Sequence, residues 1–146
     1  MQEQVKDRQN NLSQPTYKMT IEKDVDIPMR DGTILKADVF RPDAPGTFPV
    51  LMNMGIYQKD KLWVPPHDLE EGPNPYMNWE TVNPEWLVPR GYICLRVDER
   101  GSGKTPGQLI AYSQQEAIDF YDAIEWAGHQ SWSSGNVGTI GISFFA

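Results

Sequence analysis

The sequence predicts an α/β protein in which an antiparallel hairpin leads into a parallel sheet. Residues 50–54, 92–97 and 137–142 are short, almost wholly apolar runs, the pattern of strands covered on both faces. Between the second and third runs, Ser113-Gln114-Gln115-Glu116 has the form of a helix capping box. Strand, helix, strand is the unit from which parallel sheets are built. Ahead of these, two mixed stretches flank Asp31-Gly32, a turn pair that joins hairpin strands.

The elements follow in chain order. Residues 1–19 are polar, without apolar period, and are expected to form a flexible N-terminal lead; residues 20–146 are expected to be an incomplete domain. Ile21, Val25 and Ile27 lie among charged residues in the first strand. In the second, Leu35, Ala37 and Val39 alternate with Lys36 and Asp38, which predicts a half-buried strand. Pro42, Pro45, Gly46 and Pro49 punctuate a loop before residues 50–54. The segment 55–90 holds six prolines and Trp63, Trp79 and Trp86; it is long for a plain connection, which suits a functional site or a partner surface. The capped helix carries Ala117, Phe120, Tyr121, Ile124 and Ala127 at spacings of three and four, predicted to be its inward face.

Composition narrows the function classes. With 146 residues, 39% hydrophobic and 23% charged, the chain is one globular domain or part of one. A net charge of −7 argues against a nucleic-acid partner, which needs a basic face. No apolar run approaches the roughly 20 residues of a membrane helix, and residues 1–17 are too polar for a secretory signal. One cysteine, Cys94, excludes an internal disulfide and reads as an inert core thiol. The expectation is an acidic soluble protein of the cytoplasm, with no nucleic-acid or membrane partner and no cofactor; oligomeric state is left open.

The chemistry concentrates at the end of the chain. The run from Val137 to Ile142 enters Gly141-Ile142-Ser143, the order a nucleophile elbow needs: a strand, then a sharp turn that lifts a serine above the sheet edge. Phe145 stands where the general pattern has glycine, with the small residue one later at Ala146. Gly101-Ser102-Gly103-Lys104-Thr105 resembles the end of a phosphate loop, but Asp98 occupies the position of its first glycine. Asp119 and Asp122 are expected on a solvated helix face, and with Asp98 and Glu99 they suggest no metal site.

Several blocks together carry a family resemblance: Pro28-Met29-Arg30-Asp31-Gly32-Thr33 with Leu35 to Pro42, Pro49-Val50-Leu51 leading to Tyr57, Arg90-Gly91-Tyr92, Asp98-Glu99-Arg100-Gly101, Ile124-Glu125-Trp126, Gln130-Ser131-Trp132 and Gly141-Ile142-Ser143. The chain resembles the N-terminal part of the X-Pro dipeptidyl-peptidase and cocaine-esterase-like group of α/β-hydrolases, in which a bulky then a small residue after the serine is familiar. The resemblance implies the first part of an α/β-hydrolase fold, cut just after the elbow. It also implies that Ser143 is the acyl-accepting nucleophile and that the Phe144 amide and the Tyr57 hydroxyl are the oxyanion donors. The substrate the resemblance implies is a small ester, amide or peptide, an X-Pro dipeptidyl bond among them. A serine nucleophile needs a base, and in this fold Asp or Glu and then His follow the serine. His67 and His129 both precede Ser143, so the 146 residues are expected to be an inactive fragment. The alternative is a non-catalytic α/β interaction module that uses the 55–90 segment.

Overall fold

The structure, a computed structural model, describes residues 13–61, 74–78 and 80–145. Residues 1–12 of the lead, His67, Trp63 and Trp79 lie outside them. The hairpin forms from β1 (Met19–Pro28) and β2 (Ile34–Pro42), antiparallel from Met19 opposite Pro42 to Pro28 opposite Ile34. Asp31-Gly32 makes the connection: Gly32 has φ 86°, open to glycine, and the Met29 amide donates to the Thr33 carbonyl at 2.8 Å. A bulge between Glu22 and Val25 puts Asp24 in the left-handed region, φ 57°, and turns its carboxylate towards Lys59 and Lys104. Just before β1, the Thr16 and Tyr17 amides donate to the Pro89 carbonyl.

The remaining strands are β3 (Phe48–Gly55), β4 (Ile93–Asp98) and β5 (Ser133–Thr139), and the sheet order is β1-β2-β4-β3-β5. β4 runs antiparallel to β2 and parallel to β3, and β5 is parallel to β3. The C-terminal ends of β3, β4 and β5 therefore share one edge. A short helix α1 (Pro84–Leu87) and a 3-10 turn (Val88–Arg90) precede β4, and α2 (Gln114–Gly128) links β4 to β5. The Ser113 hydroxyl caps α2 by accepting the Glu116 amide at 3.2 Å. No helix among the described residues is long and apolar enough to cross a membrane.

The main core lies between α2 and the sheet: Leu35, Ala37, Val39, Val50, Met52, Ile93, Leu95 and Val97 meet Ala123 and Ala127. The opposite face carries a smaller cluster, Phe40, Val82, Val88 and Cys94. Burial pushes the Cys94 thiol up to about 12, in keeping with an inert core residue.

Three expectations are corrected. The inward side of α2 is Asp119, Ala123 and Ala127, with Phe120 and Ile124 packed against the same core; of the expected face, Ala117 is exposed and Tyr121 is 56% exposed. Asp119 is buried because Arg100 meets it with two bonds, Nε to Oδ2 at 2.7 Å and a second terminal nitrogen to Oδ1 at 2.8 Å. A paired carboxylate can take an inward position that an unpaired one cannot. Second, β2 is buried on both faces around Asp38, whose carboxylate is taken by Lys23 and Lys59. Third, β5 starts at Ser133, stops at Thr139 and is largely exposed, because it pairs only with β3 among the described residues.

Candidate active site

Three turns leave the shared strand edge, and each brings one part of the candidate site. Beyond β5, the Ile140 amide still donates to the Met52 carbonyl at 3.0 Å, and then the chain bends. Ser143 opens a 3-10 turn (Ser143–Phe145) with φ 58°, a left-handed conformation that is uncommon for any residue with a Cβ, and its side chain is exposed. Gly141 makes the bend sterically possible. A Cβ there would lie 2.1 Å from the Phe145 carbonyl oxygen. Gly55, at the end of β3, leaves room for the Phe145 ring, since a Cβ would stand 2.3 Å from its Cε1. The departure from the general elbow pattern at Phe145 is thus matched by a missing side chain on the neighbouring strand.

The turn after β3 carries Tyr57. Its ring lies edge-on to Phe144 (centroids 6.2 Å apart) and to Phe145 (5.3 Å). Tyr112 packs against Phe144 from the other side at 5.2 Å, again with a left-handed φ of 56°. Tyr57, Phe144 and Ser143, far apart in the chain, are therefore neighbours at one edge. The sequence holds no pattern that marks Tyr112, the last of the five residues between Gly107 and Ser113.

The third turn, after β4, is the glycine-rich stretch that resembled a phosphate loop. One of its amides, that of Lys104, faces a carboxylate of the chain itself. The Lys104 amide donates to Asp98 Oδ2 at 2.9 Å, and Thr105 Oγ1 donates to the Asp98 carbonyl at 2.7 Å. A Cβ on Gly103, whose φ is 54°, would fall 2.1 Å from Asp98 Oδ2. No helix begins here to receive a phosphate; α2 starts only at Gln114. Burial raises the Asp98 pKa, while the two backbone donors pull it down.

Around this loop Lys23, Lys59 and Lys104 interleave with Asp24, Asp38 and Asp60. The Lys59 side chain is 1% exposed. Burial alone would lower its pKa, but bonds to Asp24, Asp38 and Asp60 override this and raise it. Glu99, also at the edge, faces the α2 side with Glu116 and Asp119; burial first, then those two charges, lift its carboxyl to about 7. Asp122 pairs with Arg30, so the four acids noted in the sequence have separate partners or settings.

On the opposite face of the sheet, a cavity of about 340 Å³ is lined by Asn78, Glu80, Thr81, Arg96 and Ile142, next to the elbow. Among the described residues, Arg96 Nε, Glu80 Oε2 and Thr81 Oγ1 make no hydrogen bond. Arg96 is held by its terminal nitrogen on the Val82 carbonyl at 2.7 Å, and burial lowers its pKa to about 10.

His129 is the C-cap of α2, exposed, with Nδ1 against the Glu125 carbonyl at 2.7 Å. It precedes β5 while Ser143 follows it, so the length of the strand, about 20 Å at 3.3 Å per residue, separates them.

Comparison with known proteins agrees with the geometry. The sequence model of the X-Pro dipeptidyl-peptidase (S15) family matches residues 31–146. Cocaine esterase of Rhodococcus sp. (strain MB1 Bresler) is 33% identical over 127 residues, covering 86% of this chain and 20% of that protein. A putative Xaa-Pro dipeptidyl-peptidase of Bacillus anthracis is 26% identical, over 93% of this chain and 28% of its own length. Among solved structures, a CocE/NonD family hydrolase from Staphylococcus aureus superposes with a TM-score of 0.79 at 40% identity, covering 87% of this chain and 24% of that one. An α-amino acid ester hydrolase shares the fold, with a TM-score of 0.64 at 22% identity. The chain thus spans about a fifth to a quarter of the length of these relatives.

Proposed function

The chain belongs to the X-Pro dipeptidyl-peptidase (S15) family, and from that premise we propose that it carries the nucleophile and oxyanion donors of a serine hydrolase. Ser143 Oγ attacks the carbonyl carbon of an ester or amide while its proton passes to a base. The resulting oxyanion accepts hydrogen bonds from the Tyr57 hydroxyl and the Phe144 amide. Collapse breaks the bond to the alcohol or amine, which leaves with the proton, and water then releases the acyl group from Ser143 by the same steps. The observation that carries this reading is the left-handed φ of 58° at an exposed Ser143, at the edge where Tyr57 lies against Phe144. Backbone strain held by the surroundings at a serine is the expected mark of an elbow.

The base is proposed to come from sequence beyond these 146 residues, since in this fold the carboxylate and the histidine follow the serine and His129 lies on the far side of β5. By themselves the 146 residues are then inactive. The names of the relatives, cocaine esterase and Xaa-Pro dipeptidyl-peptidase, point to two substrate classes. Parallel assays of the complete polypeptide on a p-nitrophenyl ester and on an X-Pro p-nitroanilide separate them. Turnover of either, lost in Ser143→Ala, supports the reading. Turnover of neither by the folded protein contradicts it and favours the non-catalytic interaction module.

A further inference from the structure

We propose that Asp98 and Ser102 are positioning residues that clamp the Tyr57 turn from the neighbouring strand, an inference that rests on the oxyanion role given to Tyr57. The turn has little reason to hold its shape alone. Gln58, immediately after Tyr57, has φ 66°, a left-handed conformation that strains a residue with a Cβ. The chain holds this strain at a place where a hydroxyl must stand within hydrogen-bond reach of a developing charge.

The bonds that hold the turn come from the loop after β4. On one side of Tyr57, Ser102 Oγ donates to the Ile56 carbonyl at 3.0 Å. On the other, the Lys59 amide donates to Asp98 Oδ1 at 2.7 Å. The second oxygen of the same carboxylate is taken by the Lys104 amide, so neither oxygen of Asp98 has freedom to swing. Asn78 Nδ2 adds bonds to the carbonyls of Gln58 and Lys59, at 3.0 and 3.1 Å. Residues 56, 58 and 59 are all tied, so the backbone that carries Tyr57 is held on both sides.

This assigns work to the motif that looked like a phosphate loop. Gly101 (φ 75°) and Gly103 (φ 54°) bend the backbone so that the Lys104 amide meets an anion, and the anion is Asp98. Strand pairing alone already places β4 beside β3, through Gly55 opposite Asp98. The carboxylate and the Ser102 hydroxyl act beyond the ladder, on the residues that flank Tyr57.

Steady-state kinetics of the complete hydrolase on an activated ester test the clamp, with Tyr57→Phe as the reference background. Asp98→Asn keeps the shape but turns one acceptor into a donor that faces an amide N–H. It is expected to lower kcat by about 10–100-fold, since a shift near 1 Å at a reacting group costs up to about 100-fold, with KM changed less than about threefold. Ser102→Ala is expected to lower kcat by a few-fold in the same sense. In the Tyr57→Phe background both losses should shrink to less than about twofold, because the group they position is gone. Equal losses in both backgrounds would overturn the clamp, as would unchanged kcat in folded Ser102→Ala and Asp98→Asn proteins. If Asp98→Asn fails to fold, Ser102→Ala decides. Unchanged kcat in Tyr57→Phe alone is a different result: it removes the oxyanion reading, and the clamp with it.

Discussion

The Tyr57 turn and the Ser143 turn leave the same edge of the same sheet, but they are shaped by different forces. The first is tied by polar groups: the Lys59 amide to Asp98, the Ile56 carbonyl to Ser102, and the Gln58 and Lys59 carbonyls to Asn78. A balanced set of three lysines and three aspartates surrounds it. The second is shaped by exclusion. Gly141 and Gly55 leave the space that Phe145 fills, and aromatic edges of Tyr57 and Tyr112 meet Phe144. A proposed donor is thus fixed by directional bonds, while the proposed nucleophile is fixed by close packing around a strained backbone. The two should fail in different ways when altered.

The largest expected effect is Tyr57→Phe, which leaves the ring contacts and removes only the hydroxyl. Loss of one oxyanion donor lowers kcat by about 10²–10³-fold, with a melting temperature close to that of the parent, as ester turnover and calorimetry will show. Next is Lys59→Met, which takes the buried cation from Asp38 and leaves it paired with the half-exposed Lys23. Breaking a buried pair costs about 3–5 kcal/mol; because Asp24 and Asp60 keep over a third of their surface in water, the lower end, about 3 kcal/mol, is expected from urea unfolding.

Gly141→Ala sharpens the contrast from the other side. Its Cβ meets backbone, the Phe145 carbonyl, and overpacking of this kind costs about 1–3 kcal/mol together with loss of activity. Gly55→Ala meets only the Phe145 ring. Adding Phe145→Ala should therefore restore stability to Gly55→Ala but not to Gly141→Ala, measured by thermal unfolding of the two double variants.

The smallest effect is a pH slope from Glu99. Burial, reinforced by Glu116 and Asp119, raises this carboxyl from 4.5 to about 7. Across that window the folded state keeps a proton that the unfolded chain has released, so stability falls as pH rises from about 4.5 to about 7 and then levels. The fall should vanish in Glu99→Gln, as urea unfolding across this pH range will show. Below pH 4 the slope reverses, because Asp24, lowered by Lys104, and Asp122, lowered by Arg30, lose their favourable charge as they protonate.

What the sequence revealed was local. The hairpin turn at Asp31-Gly32, the Ser113 cap and the strands at the first two apolar runs depend on neighbours a few residues away, and each is close to where the pattern placed it. The family resemblance added the link between Tyr57 and Ser143, which no spacing could supply. The missed features all depend on distant partners. Asp119 reads as a surface acid until Arg100 meets it, and Asp38 reads as the wet side of a strand until Lys59 does. The end of β5 at Thr139 is set by the bend that Gly141 permits and by the lack of a second paired strand among the described residues. The residue that breaks the phosphate-loop pattern in the sequence, Asp98, is the one the Lys104 amide meets, a bond between residues six apart that the motif alone does not show.

The account stands on Ser143 as an activated nucleophile, and a serine-directed fluorophosphonate read by peptide mass spectrometry tests that most directly. The complete polypeptide should take up one probe per chain on Ser143, with labelling abolished in Ser143→Ala and slowed in Tyr57→Phe. Modification of a different residue, or undiminished labelling of Ser143→Ala, would contradict it.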